Sequence, residues 1–313
     1  MKKIELHVHL DGSIRIETAS ELLGIDLKTC KKNMVGKKLK SLDEYLTRFD
    51  YPCKVMQTYA NLKRVAHELA LDLIKDEVIY AEVRFAPILH TSILSLENVC
   101  KAVLEGFDLE KKKIKINLIL CMLRNESKEN NMKIIDLYLK HLDNRIVGLD
   151  LAGSELLFPN EKFIDLFKII NEKRIPFTVH SGEVKLINNI KVALDYDIRR
   201  IGHGINIIHN KKLIDEAIKK NVLLEICPTS NIDTFNCKDY KEHPIKKLYD
   251  LGLNISINTD DRTVSNITLK KEYSLLKQYF GFTNEDFKNI NICAMNHSFA
   301  DINTKKEIIE LLK

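Results

Sequence analysis

The sequence predicts a (β/α)8 barrel, and three observations carry that reading. Apolar runs of strand length recur at Ile4–His9, Val78–Phe85, Ile116–Cys121, Ile146–Ala152, Phe177–His180, Arg200–His203, Leu223–Cys227 and Ile255–Asp260. Most are nearly continuous in apolar residues, as strands buried on both faces are. Segments of helical period separate them, and strands alternating with helices imply a parallel sheet. Eight such strands favour closure into a barrel. The alternative is a doubly wound open sheet, which needs a glycine-rich first turn; the turn after the first run offers only Asp11-Gly12.

The first run, Ile4-Glu5-Leu6-His7-Val8-His9-Leu10, alternates apolar and polar side chains as a strand does. Residues 12–77, 66 in all, then precede the second run. A structureless loop of that length is uncommon in a compact domain. Leu62, Val65, Ala66, Leu69 and Leu73 repeat at helical spacing, so 12–77 is read as a helical insertion near the barrel mouth. Phe163, Leu166, Phe167 and Ile170 mark a helix with Asn160 available as N-cap. Ile187, Ile190 and Leu194 mark another. Leu269, Leu276 and Phe280 lead into Gly281, a C-cap residue. Beyond it, Ile308, Ile309 and Leu312 form the apolar face of an extra C-terminal helix. With no Pro-, Gly- or Ser-rich linker, residues 1–313 are read as one barrel domain.

Bulk properties exclude several function classes. The 313 residues are 45% apolar and 30% charged, ordinary for a globular protein. No apolar run approaches the roughly eighteen residues of a membrane span. His7, His9 and Asp11 interrupt what would be a signal-peptide core. The net charge of +5 is spread thinly, and its longest basic run, Lys111-Lys112-Lys113, reads as a solvated helix end. No nucleic-acid or membrane partner is expected. The seven cysteines are irregularly spaced, with no Cys-x-x-Cys pair. They read as free thiols of a reducing, cytoplasmic compartment, with Cys121 and Cys227 as core filler.

Chemistry is concentrated at the ends of these runs. His7 and His9 are two apart on a strand, so both project to one face, as metal-binding imidazoles must. His180 and His203 end the fifth and sixth runs, and Asp260-Asp261 end the eighth. Singly, each has a plainer reading: a satisfied core histidine, or an aspartate capping a helix. In a barrel, all converge at the C-terminal face, where active sites are built. His7, His9, His180 and Asp260 offer three nitrogens and a carboxylate, a set suited to one Zn2+ per chain with an open position. Such an ion makes hydroxide available near neutral pH. His203 is then free to act as base or to stabilise the hydroxide, and Glu183, three residues after a ligand, is placed to act as general acid.

The chain resembles the adenosine/AMP deaminase branch of the metal-dependent hydrolases. The resemblance rests on Glu5–Ser13, Tyr80–Pro87, Gly148–Gly153, Val179-His180-Ser181-Gly182-Glu183 and Arg200-Ile201-Gly202-His203-Gly204. It continues through Cys227-Pro228-Thr229-Ser230-Asn231, His243-Pro244-Ile245 and Asn258-Thr259-Asp260-Asp261. It implies zinc-dependent deamination of adenosine, and of 2′-deoxyadenosine, to inosine and ammonia in purine salvage. His7, His9, His180 and Asp260 are then ligands, with Asp260 also at the reaction centre. Glu183 would protonate purine N1 while zinc-activated hydroxide attacks C6, and His203 would activate or hold that hydroxide. Asp261 would face N7, the Gly153 backbone N3 and Asp11 the ribose, with His9 lying against substrate. Ser181, the Val184-Lys185-Leu186 stretch and Arg262 depart from the usual pattern. A sister aminohydrolase acting on adenine or 5′-modified adenosines such as methylthioadenosine is an alternative. A non-catalytic zinc-stabilised binding module is another, although Glu183, His203 and Asp261 are all present.

Overall fold

The computed structural model describes residues 1–36, 39 and 41–313, with Asp43 described by its backbone alone. Among the described residues the strands are β1 (Lys3–His9), β2 (Val78–Phe85), β3 (Lys115–Leu123), β4 (Ile146–Ala152), β5 (Phe177–Ser181), β6 (Arg200–His203), β7 (Leu223–Ile226) and β8 (Asn254–Ile257). Each pairs in parallel with the next in sequence, giving one eight-stranded sheet. Helices flank it, and the fold is a (β/α)8 barrel.

Side chains help close the seam between β8 and β1. The expected eighth strand ran to Asp260, but the ladder stops at Ile257. Asn258 Oδ1 takes the Leu6 N–H at 3.0 Å, and the Glu5 carboxylate takes the Thr259 N–H and hydroxyl at 3.0 and 3.1 Å. One further bridge joins Val8 and Asp260, where the His9 N–H donates to the Asp260 carbonyl at 2.8 Å. Asp260 itself has φ 60°, a left-handed conformation that turns the chain away.

Between β1 and β2 lie helices Ile16–Leu23, Leu27–Met34, Leu42–Leu46, Asp50–Val55 and Tyr59–Lys75. The last buries Leu62, Val65, Ala66, Leu69 and Leu73, the face its periodicity requires. It is capped by Thr58, whose hydroxyl accepts the Asn61 N–H at 3.2 Å. It packs on helix Leu96–Asp108 closely enough that a Cβ at Gly106 would lie 2.4 Å from the Lys63 carbonyl. Arg262 ties the loop after β8 to this layer through an ion pair with Asp76 at 2.9 Å.

Asn160 does not cap a helix. It opens a 3-10 turn, Asn160–Phe163, ahead of helix Ile164–Glu172. Its buried side chain instead donates to Ser181 Oγ and the Asn189 carbonyl, both at 2.8 Å, and accepts from Arg124 at 2.7 Å. The serine at 181 thus has a structural use. Helix Leu269–Phe280 ends at Gly281 with φ 68°, the expected C-cap. Helices Asn284–His297 and Ile302–Leu312 follow. Met295 and Ile308 pack with Ile4, Leu6 and Tyr80 beneath the barrel, and Asn291 Oδ1 accepts the Ile4 N–H at 2.8 Å. No helix of the described residues is long and apolar enough to cross a membrane.

Candidate active site

The strand ends bring His7, His9, His180 and Asp260 together, their ligand atoms all within 4.8 Å of one another. His7 and His9 both aim Nε2 at Asp260 Oδ1, at 3.2 and 3.3 Å. The neighbouring His180 ring centroid is 4.7 Å from that of His7. His203 joins the group, 4.9 Å from His7 between centroids. His203 and Asp260 have φ 61° and 60°. Left-handed backbone at residues other than glycine costs of order 1–3 kcal/mol each, so this site carries part of the strain in the fold.

What orients these rings was not identified from the sequence. His7 Nδ1 lies 3.0 Å from Glu225 Oε2, and His180 Nδ1 lies 3.1 Å from Asp150 Oδ2. Both carboxylates are buried and paired through Arg84, at 2.7 Å to Glu225 and 3.0 Å to Asp150. Arg200 adds a bond to Glu225 at 2.6 Å and one to Glu82; Thr178 donates to Glu225 at 3.0 Å. Against the cost of burial, Arg84 and Arg200 hold the Glu225 carboxyl well below its usual range. Against the same cost, His180 and Arg84 hold Asp150 low. Each carboxylate therefore stays ionised and fixes the Nδ1–H tautomer, leaving Nε2 with a lone pair. The sequence held one signal: Glu82, Arg84, Asp150, Arg200 and Glu225 are charges inside buried strands, which are costly unless paired.

These residues fit a divalent metal. His7 Nε2 is fully buried and makes no hydrogen bond despite the nearby carboxylate. Burial, outweighing the nearby Asp260, lowers His9 to about 3, with His7 and His180 adding to the shift, so its ring is neutral. Against desolvation, the adjacent His7 ring holds Asp260 well below the carboxylate range, and Ser230 Oγ donates to its other oxygen at 2.6 Å. Imidazole nitrogens gathered around an ionised carboxylate make a cation site of zinc type. His203, Cys227 and Asp260 form an overlapping group. Burial pushes the Cys227 thiol well up, however, which keeps it protonated and a poor ligand.

Glu183 borders the cluster, 3.6 Å from His203 Nε2, and accepts from Thr234 Oγ1 at 3.0 Å. Burial first, then Asp260 and Glu155, pushes its pKa up to about 8. Glu155 holds the loop by accepting the Gly182 and Glu183 N–H groups at 2.8 and 2.9 Å. Burial and then Asp260 and Asp11 push Asp261 well above the ordinary carboxyl value. Asp261 Oδ1 sits where a Cβ on Gly12 would fall, 1.7 Å away; only glycine fits there. His203 is buried and neutral, desolvation holding it well below its usual value.

A cavity of about 430 Å³ opens beside His9, bordered by Asp11, Gly153 and Ser154 and walled by Leu46, Phe49, Leu89, Leu157 and Phe158. Leu46 and Phe49 come from the segment between β1 and β2. Cys121, expected as core filler, also lines it, because it sits near the C-terminal end of β3 where the barrel opens. A larger groove of about 690 Å³ lies at the strands' opposite ends around Lys115 and Ile146, and none of the predicted site residues lines it.

The adenosine deaminase family profile matches residues 2–313. An adenosine deaminase of Clostridium acetobutylicum is 38% identical over 328 aligned positions, covering 100% of this chain and 96% of the relative. One from Clostridium perfringens is 36% identical, covering 98% and 97%. Among solved structures, an N6-methyl-AMP deaminase from Arabidopsis thaliana superposes with TM-score 0.88 at 27% identity, over 100% of this chain and 96% of that one. An adenine deaminase from Arthrobacter aurescens shares the fold, with TM-score 0.91 at 23% identity over 99% and 97%.

Asp150→Asn tests the orienting role directly. It keeps a polar group beside Arg84 but removes the charge behind His180. Zn(II) affinity, measured by competition with a chromophoric chelator, is expected to fall roughly ten- to a hundredfold. Unchanged affinity would show that Asp150 orients nothing.

Proposed function

The chain belongs to the adenosine deaminase family, hydrolases acting on C–N bonds, and on that premise we propose that it hydrolyses the 6-amino group of adenosine and 2′-deoxyadenosine. One Zn2+ is held by His7, His9, His180 and Asp260. The products are inosine and ammonia. The observation that carries the reading is the convergence of four ligand atoms within 4.8 Å beside a carboxyl, Glu183, raised to about 8.

Bound there, zinc supplies hydroxide at neutral pH by lowering the pKa of a coordinated water. The protein's residues do the rest. Glu183, protonated at pH 7, gives its proton to purine N1, which draws electron density from C6 and opens it to attack. His203 would present Nε2 to the attacking oxygen. Its Nδ1 lies 3.1 Å from the Asn231 amide nitrogen, and Asn231 Oδ1 lies 3.2 Å from His243 Nε2. That chain assigns the amide nitrogen as donor to Nδ1, so the neutral ring carries its proton on Nε2. Of the two roles open to it, His203 takes the stabilising one, donating to developing negative charge. Asp261, also protonated, donates to N7; the Gly153 backbone serves N3; and Asp11 faces the sugar. His9 borders both metal and substrate. Besides metal and water, the mechanism calls for a small purine nucleoside.

Turnover followed by ultraviolet absorbance, with adenosine, adenine and 5′-methylthioadenosine run side by side, tests the substrate. Adenosine is expected to react fastest. Turnover of adenine or methylthioadenosine alone would move the function to a sister enzyme, and silence on all three would favour a binding module.

The proton on Glu183 sets the pH dependence. The group acts only when protonated, so kcat/KM is expected to hold below about 8 and to fall as pH rises through that value. Glu183→Gln keeps the metal ligands and is expected to lose roughly 10²–10⁴-fold in kcat. Near-full activity in that variant would remove Glu183 from the reaction.

A further inference from the structure

Two groups beside the cavity carry buried polar atoms that bind nothing. His90 ends the 3-10 turn Pro87–His90 that follows β2. It is fully buried, and neither ring nitrogen has a hydrogen-bond partner. Asp11 Oδ1 is likewise buried and unpartnered. The two residues face each other, with His90 Nε2 3.9 Å from Asp11 Oδ2. That separation is too long for a hydrogen bond but short enough for the pair to close when a ligand binds. The His90 ring stacks on Phe85 at 5.7 Å between centroids and 23° between planes, which fixes its orientation.

A buried donor or acceptor left idle costs about 1–3 kcal/mol, so a pair of such groups needs a reason. Asp11 borders the cavity and His90 lies behind it. One carboxylate oxygen therefore faces the imidazole, and the other has no partner within the protein. Around Asp11 the wall is otherwise largely apolar, with Leu46, Phe49 and Leu89, and a second acid, Asp50, lines the same space. Among the described residues the lining offers two acids and no cation, an arrangement that favours a neutral donor over a phosphate. On a nucleoside, the donors remote from the base are sugar hydroxyls.

We propose that His90 is a positioning residue for sugar recognition, acting through Asp11. Asp11 Oδ1 accepts the proton of one sugar hydroxyl, while His90 holds Oδ2 and sets the carboxylate plane. The inference rests on the nucleoside substrate proposed above and extends it to a residue outside the deamination chemistry.

The test compares two amides in the metal-loaded enzyme. In His90→Gln the amide nitrogen reaches the place of Nε2, whereas in His90→Asn it reaches only that of Nδ1. kcat and KM are measured for adenosine and for its 2′-, 3′- and 5′-deoxy analogues, with zinc content and thermal midpoint as folding controls. Wild type is expected to discriminate against one deoxy analogue by roughly tenfold or more, since a hydrogen bond to a charged group is lost. His90→Asn is expected to raise KM for adenosine toward that of the disfavoured analogue and leave the analogue's own KM unchanged. His90→Gln is expected to recover much of the discrimination. Equal losses on all four nucleosides, no difference between Gln and Asn, or a wild type indifferent to every sugar hydroxyl would each overturn the proposal. A wild type that ignores all four nucleosides but deaminates adenine would overturn the nucleoside reading itself.

Discussion

Charges buried at the centre of a barrel must be paired, and that constraint organises this molecule. Glu82, Arg84, Asp150, Arg200 and Glu225 all point from strands into an interior with almost no solvent. Removing one partner of such a group is expensive, because the remainder becomes an uncompensated charge. Arg84 therefore stands between Asp150 and Glu225, and both arginines also donate to the Leu6 carbonyl, at 2.6 and 3.3 Å. The same two carboxylates orient His180 and His7. Packing of the barrel and aim of the imidazoles are one network, so the site is as rigid as the core beneath it.

Above that network, environment separates four side chains of similar chemistry. Against burial, the surrounding imidazoles hold Asp260 low, whereas burial, then Asp260 and Asp11, push Asp261, its neighbour in sequence, well above the ordinary carboxyl value. Glu183 keeps its proton through burial, and Glu155, engaged by three N–H donors, shapes the loop that presents it. In the proposed mechanism, acid, ligand and hydrogen-bond donor thus differ in surroundings and not in residue type. The left-handed backbone at His203 and Asp260 places both side chains where regular strand geometry would not.

Much of this was legible in the sequence, for definite reasons. Strands buried on both faces leave continuous apolar runs, and the eight runs correspond to the eight strands. Polar residues ending such runs stand out, which is how His7, His9, His180, His203 and Asp260 were found. What escaped depends on closure of the sheet. Glu225 acquires its meaning only when closure brings β7 within reach of β1 beyond β8, and Asp150 only when β4 and β5 pair side by side. The end of β8 escaped because an Asn258 side chain replaces a ladder bond. Asn160 was misassigned because its amide serves a tertiary network around Ser181 and Asn189, which outcompetes local capping. His90 had no signal at all, sitting in an unremarkable Pro-Ile-Leu-His turn until Asp11 is brought against it.

The central claim is that His7, His9, His180 and Asp260 hold a metal on which the chemistry depends. Its most direct test is turnover of adenosine by protein stripped with a chelator and then titrated with Zn(II), with metal content read by elemental analysis. The account predicts that activity vanishes with the metal and returns in full at one equivalent per chain. Undiminished turnover by protein shown to be metal-free would contradict it.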